Sequence, residues 1–297
     1  MTDNNKYVVG IGEVLWDMLP SGKQLGGAPA NFAYHVSQLG GQGMVVSAIG
    51  HDALGKEIEQ LLQEKQLSCH CQHVDYPTGT VEVSLDAAGI PSYEIKEQVA
   101  WDNLHFTPEL RQIAQHTVAA CFGTLAQRST LTRQTILDFL QTMPHGEGIY
   151  KVFDINLRQH FYTKKSIADS LEMANILKIN DEELETLNQL LGYEEDSQQA
   201  QCERLLREYH LEMVILTCGA AGSSVFAHHH RSFIPTPKVA VADTVGAGDA
   251  FTAAFIAALL KGKDISAAHQ LAVDISAYVC TQHGAMPSIP STLLKEI

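Results

Sequence analysis

Apolar runs alternate with segments in which apolar residues recur every three or four positions over most of the chain. Such runs suit buried strands, and the longer spacing suits helices with one buried face. The strand-like runs are KYVVGIGEVLW, MVVSAIG, TVAACFGTL, YKVFDINL, ANILKIN and EMVILTCG. Because they are apolar throughout, they are typical of parallel strands that are covered on both faces. The pattern therefore predicts the α/β class with a mostly parallel central sheet.

Two regions interrupt this alternation. Residues 68–100 read as short strands with turn signals at Pro77, Gly79 and Gly89 and without a convincing helix, which predicts a small β element appended to the α/β body. Residues 222–241 predict a hairpin before the chain returns to helix.

Composition excludes several classes of protein. The chain has 297 residues, of which 45% are hydrophobic and 18% charged, as in ordinary globular proteins. Its 34 acidic and 20 basic residues leave a net charge of −14, which repels the phosphate backbone of nucleic acids. An anionic substrate would need a local pocket of backbone amides or cations that overrides this field.

The sequence lacks targeting segments and paired cysteines, and these two features predict the location of the protein and the state of its thiols. The N-terminus lacks a basic segment followed by an apolar core, and no apolar stretch approaches a membrane span, so we expect a cytoplasmic protein. Six scattered cysteines without a CxxC pair predict reduced thiols. Cys69, Cys71 and His73 would share one face of a strand at a spacing that can bind metal, but no second ligand pair accompanies them, and strand packing is the favoured interpretation. The run from His228 to His230 is interpreted as a solvated turn.

The most informative motif is Asp243-Thr-Val-Gly-Ala-Gly-Asp249, which is followed by a helical run of small residues. Gly246, Ala247 and Gly248 would present free backbone N–H groups at the helix start, where the helix dipole also favours an anion. The motif lacks the lysine of a Walker A loop. Asp249, beside this phosphate cradle, could accept a proton or hold a metal. It could also be a plain acidic residue of a helix N-terminus.

A second glycine motif, Gly26-Gly-Ala-Pro-Ala-Asn31, opens an earlier helix. The two glycines allow a ligand to approach the backbone closely, and Asn31 offers a donor and an acceptor to a polyol. A turn before a helix that starts with proline is the alternative explanation.

Together these two motifs closely resemble the signatures of the ribokinase family, the PfkB-type carbohydrate kinases, and the likeness extends over essentially the whole chain. Within the family, GEVLWDMLP, GGAPANFA and DINLR are most similar to bacterial fructokinases. The resemblance implies a ribokinase-like three-layer α/β/α fold with a small β-sheet lid. It implies one domain, residues 1–297, with the lid formed by about 13–24 and 68–100.

The resemblance also implies an ATP-dependent kinase that converts D-fructose to fructose 6-phosphate. Asp249 would be the base for the sugar hydroxyl, and Gly246, Ala247 and Gly248 would form the anion hole. We expect the helix start to keep Asp249 ionised at neutral pH, which makes it a weak base. The alternatives are a kinase for ribose, 2-keto-3-deoxygluconate or a nucleoside, and a catalytically silent sugar-binding regulator.

On the sugar side, Asp17, Gly27 and Asn31 match family positions that hydrogen-bond sugar hydroxyls. The run Asp154-x-Asn156-x-Arg158 alternates with period two, which predicts that its side chains leave one face of a strand end. The resemblance points Arg158 toward the substrate, whereas composition alone is equally consistent with a polar cluster that contains a salt bridge.

On the nucleotide side, the resemblance implies that ATP is bound by Asn180, Thr217, Gly219, Gly222, Gly246 and Gly248. Asn180 and Glu183 match an Asn-x-x-Glu motif, in which Glu183 is associated with Mg²⁺ through water. The same pair also has the form of a helix capping box, and both interpretations stay open.

A monovalent cation, K⁺, is the last ligand that the resemblance implies. Its ligands would be the side chains of Asp243 and Ser288 and the carbonyls near Val245, Val279, Gln282 and Gly284. Because a lid of this kind exposes a strand edge and an apolar face, including Tyr93 and Trp101, we also expect that two lids could pair in a homodimer.

Overall fold

The structure, a computed structural model, describes residues 6–20, 22–85, 91–194 and 197–294. Its strands are Tyr7–Ile11 (β1), Leu15–Leu19 (β2), Gly22–Gly26 (β3), Gln42–Gly50 (β4), Ser68–Val74 (β5), Gly79–Leu85 (β6), Pro91–Ile95 (β7), Thr117–Phe122 (β8), Tyr150–Asp154 (β9), Ile176–Asn180 (β10), Met213–Thr217 (β11), Ser223–Ala227 (β12) and His230–Ile234 (β13). Its α-helices are Ala28–Gln38 (α1), Ala53–Glu64 (α2), Pro108–Gln115 (α3), Thr130–Thr142 (α4), Lys164–Met173 (α5), Asp181–Leu191 (α6), Gln198–Glu208 (α7), Ala247–Leu260 (α8), Ile265–Cys280 (α9) and Ser291–Leu294 (α10).

The strands form two sheets. The large sheet has nine strands in the order β13-β12-β11-β10-β9-β8-β1-β4-β5. In this order, all the strands from β11 to β5 run parallel to one another. Strands β12 and β13 add the predicted antiparallel hairpin at one edge. The small sheet has the order β3-β2-β6-β7. The predicted α/β class with a mostly parallel central sheet is therefore confirmed.

Helices cover both faces of the large sheet, because its strands are apolar on both sides. One face packs on α3 to α7 through residues such as Phe122, Phe139 and Phe153. The other face packs on α1, α8 and α9, with Phe32 and Phe255 in the core. This is the three-layer arrangement that the resemblance implies. In the described part of the chain, no helix is long and apolar enough to cross a membrane.

The first apolar run departs from its prediction as a single strand. It breaks into β1 and β2, which belong to different sheets. Gly12 has a φ of 148°, which permits the sharp exit from β1. A Cβ on Gly10 would lie 1.9 Å from the carbonyl oxygen of Pro29, so Gly10 allows the start of α1 to approach β1 closely. The two glycines therefore serve packing and chain direction.

Residues 68–100 also differ from their prediction as one small β element. Their first strand, β5, pairs with β4 at the edge of the large sheet, and only β6 and β7 join the small sheet. Trp101, expected on an exposed apolar face, is fully buried in the core. The predicted turn at Gly89 and the side chain of Tyr93 lie outside the described residues.

Candidate active site

A cavity of about 1440 Å³ opens at the carboxyl ends of the parallel strands. The chain continues from β1 to β4 on one side and later returns to β8 on the other, and such a reversal leaves a crevice for ligands. The predicted site residues that line the cavity are Asp17, Gly27, Asn31, Arg158, Asn180, Glu183, Thr217, Gly219, Gly222, Val245, Gly246, Ala247, Gly248 and Asp249. The structure thus brings together both ends of the chain, as the two glycine motifs predict.

The N-terminus of α8 forms the centre of the cavity wall. Gly246 caps this helix in the left-handed region, with a φ of 76°, and a Cβ there would collide with Ala285. Ala247 and Gly248 follow in the first turn, where N–H groups are not used by the helix itself. Asp249 belongs to the same turn and accepts a hydrogen bond of 2.7 Å from Nδ2 of Asn31. A carboxyl group and the free backbone N–H groups of a helix start therefore lie side by side.

The protonation of Asp249 differs from the expectation of an ionised, weak base. Burial is the main cause that raises its pKa to about 7, and the Asp154 carboxylate adds to the rise. The Asn31 hydrogen bond and the cations Lys178 and Arg158 act in the opposite direction. A base with a pKa near the working pH is well suited to accept a proton from a hydroxyl.

Asp17 and Arg158 mark the end of the cavity next to the small sheet. Asp17 projects from β2, and a Cβ on Gly26 would lie 2.4 Å from its Oδ2, so this glycine makes room for the carboxylate. Burial raises the pKa of Asp17, and Arg158 opposes this rise. Arg158 is an exposed side chain whose charge also acts on Asp249.

The predicted alternation around Arg158 is only partly correct. Strand β9 ends at Asp154, and Asn156 adopts a φ of 45°, which breaks the period of two. Asn156 and Arg158 line the cavity. Asp154 is instead buried beneath it and accepts hydrogen bonds from Lys178 and Thr252.

Lys178 is a site residue that sequence reasoning missed. Its Nζ donates to Asp154 over 3.1 Å and lies 2.9 Å from the position that a Cβ on Gly248 would occupy. Burial acts to lower the pKa of Lys178, but the carboxylates of Asp154, Glu183 and Asp249 raise it above its ordinary value. This places a cation beneath the first turn of α8. The signal for it was a lysine inside the apolar run ILKIN.

Glu13 is the second residue that was missed. It follows the break after β1, lines the cavity and is 2% exposed. Burial is the largest cause that raises its pKa to about 7, and the Asp249 carboxylate raises it further. An acidic residue inside the apolar run KYVVGIGEVLW was the available signal.

The capping interpretation of Asn180 and Glu183 is confirmed. Asn180 caps α6 by accepting from the N–H of Glu183, and Oε2 of Glu183 accepts from the N–H of Asn180. Oε1 of Glu183 accepts from the N–H of Leu157. Backbone groups already engage both oxygens, which suits a contact between Glu183 and Mg²⁺ through water. Mg²⁺ commonly takes few protein ligands and keeps several waters, so the donor set suits an ion that arrives with nucleotide phosphates.

Glycines and a threonine form part of the wall at the opposite end of the cavity. Thr217 ends β11, Gly219 begins a short 3₁₀ turn that Gly222 follows, and all three line the wall. Gly222 has a φ of 128°, and a Cβ there would lie 2.6 Å from the carbonyl oxygen of Ile234. Val239 adds apolar surface. This end can accept a flat, partly apolar group next to phosphates.

The segments predicted to hold K⁺ meet beside the α8 loop. Asp243 accepts from the N–H of Val245 with Oδ1 and from the N–H of Gly284 with Oδ2. The carbonyl of Val279 accepts from the N–H of Gln282, and the carbonyl of Ser288 accepts from the Tyr278 hydroxyl. Asp243, Val279, Gln282, Gly284 and Ser288 are not among the described residues that line the cavity.

The remaining candidate features are the cysteines and two histidine-containing segments. All six cysteines are free thiols. Cys69, Cys71 and His73 lie on β5, and His73 contacts Glu59, but the described residues contain no group of three ligands that could hold a metal ion. The run from His228 to His230 is exposed, as predicted.

A buried carboxyl group at the start of a helix, in a cavity with further carboxyls at one end and glycine loops at the other, suits a kinase of small hydroxyl compounds. The model of the pfkB family of carbohydrate kinases matches residues 21–292, and the chain belongs to this family. It is an ATP-dependent sugar kinase.

Similar proteins agree with this assignment over nearly the full chain. A fructokinase of Salmonella typhimurium is 29% identical, over 96% of this chain and 97% of its own. An ATP-dependent 6-phosphofructokinase of Thermoanaerobacterium thermosaccharolyticum is 26% identical, over 97% of this chain and 92% of its own. The structure of a Xylella fastidiosa fructokinase with bound ATP superimposes with a TM-score of 0.86 at 20% identity, covering 98% of both chains, which supports the fold.

Proposed function

We propose that the protein is a fructokinase, which transfers the γ-phosphoryl group of ATP to the primary C6 hydroxyl of D-fructose. The observation that carries the proposal is the Asn31–Asp249 pair at the start of α8, with Asp17 and Glu13 in the same cavity. Hydroxyl-rich neutral sugars are recognised by carboxylates, which accept from hydroxyls and reject analogues that lack them. The fructokinase relative supports the choice of fructose.

In the proposed reaction, Asp249 accepts the proton of the C6 hydroxyl while the oxygen forms a bond to the γ-phosphorus. The bond between this phosphorus and the bridging oxygen to the β-phosphate breaks, and ADP leaves with that electron pair. The N–H groups of the α8 start, at residues 246–248, stabilise the charge on the transferred group. Lys178, beneath Gly248, adds positive charge there.

Two metal ions and the small sheet would assist this step. Mg²⁺ would supply charge neutralisation on the phosphates, with Glu183 holding its water. Potassium bound near Asp243 would stiffen the α8 loop, because this residue already ties Val245 to Gly284. Leu15, Val81 and Ile95 of the small sheet line the cavity, which supports a lid that excludes water. The homodimer through this lid stays a prediction.

Phosphorylation of fructose 6-phosphate is the main alternative, since one relative is a 6-phosphofructokinase. A second phosphate would need cations at the sugar end of the cavity. That end has Arg158, whose charge acts on the three carboxyls of Glu13, Asp17 and Asp249. The excess of acidic groups favours a neutral sugar.

The test is an ADP-release assay with ATP and Mg²⁺, with and without K⁺. The acceptors are fructose, fructose 6-phosphate, ribose, 2-keto-3-deoxygluconate and adenosine. We expect fructose to have the highest kcat/KM and K⁺ to raise it. In Asp249→Asn, which keeps the size and the hydrogen bond to Asn31, turnover should fall by about 10³-fold because the general base is lost. A preference for another acceptor would overturn the fructose assignment, and silence on the whole panel would favour a sugar-binding regulator.

A further inference from the structure

Glu13 is the most buried of the cavity-lining carboxyls in the described residues. The backbone N–H groups of Glu13 itself and of Ala28 act to lower the pKa of its carboxyl group, against the effect of burial. One carboxyl oxygen, Oε2, is buried and has no hydrogen-bond partner in the part of the chain that the structure describes. A buried polar oxygen without a partner is costly, so its persistence at a cavity wall points to a ligand that supplies the missing contact.

The position of Glu13 identifies which ligand this is. Its backbone carbonyl oxygen lies 2.5 Å from where a Cβ of Gly27 would be, so Glu13 is in contact with this glycine at the start of α1. One turn further along α1, Asn31 donates to Asp249. Oδ1 of Asn31 is also buried and without a partner in the described residues. Glu13 therefore belongs to the sugar end of the cavity and not to the nucleotide end.

We propose that Glu13 is a substrate-binding residue whose Oε2 hydrogen-bonds a hydroxyl of the acceptor sugar, next to the hydroxyl that Asp249 deprotonates. The inference rests on the proposed function and deepens it, because it adds a third carboxyl to Asp17 and Asp249. A sugar hydroxyl can donate to an ionised carboxylate and accept from a protonated one, so the contact survives either charge state of Glu13.

In the same position, the charge of Glu13 also affects the pKa of Asp249. The charged groups that act on the pKa of Glu13 are Asp249 from α8 and Arg158 from the segment after β9. The charges of Asp154 and Lys178 in turn act on the pKa of Asp249. Repulsion between two carboxylates is reciprocal, so a charge on Glu13 makes Asp249 harder to ionise. Glu13→Gln removes this charge while it keeps the shape of the side chain.

The experiment compares wild type, Glu13→Gln and Glu13→Ala on fructose and on four analogues that each lack one hydroxyl other than the acceptor. These are 1-deoxyfructose, 3-deoxyfructose, 4-deoxyfructose and 2,5-anhydromannitol. Glu82→Gln, which changes an exposed carboxyl of the small sheet, is the matched control. In wild type, we expect one analogue to lose about tenfold or more in kcat/KM, because the deleted hydroxyl leaves Oε2 unpaired. In Glu13→Ala, that analogue and fructose should become equal within about twofold.

The second readout is the pH profile of kcat/KM. In Glu13→Gln the acidic midpoint should lie below that of wild type, whereas in Glu82→Gln it should stay in place. Unchanged discrimination among the analogues in both Glu13 variants would overturn the proposal, even if the variants are less stable. An unshifted midpoint in Glu13→Gln would overturn the part that concerns Asp249. If wild type does not turn over fructose, the proposed function fails. The same comparison of Glu13 variants is then made with the acceptor that the enzyme prefers and with the deoxy analogues of that acceptor. A wild type that is silent on every acceptor overturns both.

Discussion

The two ends of the cavity select their ligands by different means. At the sugar end, Glu13, Asp17 and Asp249 present carboxyl groups that burial makes harder to ionise. At the nucleotide end, the wall includes the glycine-rich α8 start and the loop around Gly219 and Gly222, beside charged side chains at the start of α6. Backbone amides keep their dipoles whatever the pH, while carboxyls respond to every nearby charge.

This contrast has a thermodynamic consequence. Glu13 and Asp249 have pKa values of about 7 in the folded protein against ordinary values of 4.5 and 3.8. Because the folded state then binds protons more tightly than the unfolded state, each group opposes folding as the pH rises from about 4 through 7. A shift of this size corresponds to on the order of 3 kcal/mol per group above pH 7. The raised pKa values that let these carboxyls exchange protons near neutral pH therefore reduce the stability of the folded protein.

The largest effect should follow from removing the charge of Lys178, which pairs with Asp154 beneath the start of α8. Lys178→Met leaves the buried Asp154 carboxylate unpaired, so we expect the free energy of unfolding to fall by about 3–5 kcal/mol, as urea denaturation would measure. Turnover should also fall, because the cation beneath Gly248 is lost.

Lys151→Met is the matched control. Lys151 is a lysine of β9, buried to a similar extent, and burial lowers its pKa. This variant should change stability by no more than about 1 kcal/mol. Adding Asp154→Asn to Lys178→Met should restore part of the stability, since it removes the unpaired charge. Equal losses in both lysine variants would contradict the role of the Asp154–Lys178 pair.

The features that sequence could predict are those that depend on neighbours in the chain. The start of α8 and the capping box of α6 are set by a few consecutive residues, and both are observed. The parallel strands from β8 to β11 were also predictable, because each is a continuous apolar run with its own helix.

What sequence could not predict depends on partners that are distant in the chain. Lys178 pairs with a carboxylate 24 residues away and lies under a glycine of another element. The pKa of Asp249 follows from its burial and from Asp154, neither of which the helix dipole argument includes. Strand β5 continues the large sheet because it finds the free edge of β4, although its sequence also suited the small sheet.

A smaller effect, confined to one end, should follow from Asp17→Asn. The variant keeps the shape of the side chain but loses the charge that accepts from sugar hydroxyls, so KM for fructose should rise about 10- to 100-fold. KM for ATP should stay within about twofold, because the nucleotide end is built from other elements. Initial-rate kinetics with each substrate varied in turn would measure both.

The matched control for Asp17 is Asp181→Asn, which changes a carboxylate at the nucleotide end of the same cavity. It should leave KM for fructose unchanged. A parallel rise of both KM values in Asp17→Asn would mean that the two ends are coupled and not separately built.

The smallest effect is a pair of opposite pH trends at the sugar end. A base with a pKa of about 7 is mostly protonated at pH 6, so kcat/KM for fructose should be about tenfold lower there than at pH 8. Over the same range, protonation of Asp249 should make the folded state more stable. The buried His35 and His269, whose pKa values burial lowers to about 4, act against this trend, so the informative quantity is a difference between variants.

Asp249→Asn removes the titrating group and leaves both histidines in place. Its advantage over wild type in the free energy of unfolding should be larger at pH 8 than at pH 6 by about 1 kcal/mol, because ionised Asp249 opposes folding only in wild type. Urea denaturation of both proteins at the two pH values measures this difference. An advantage that does not change with pH would mean that Asp249 does not titrate between pH 6 and pH 8, and the acid limb of the activity profile would then belong to another group.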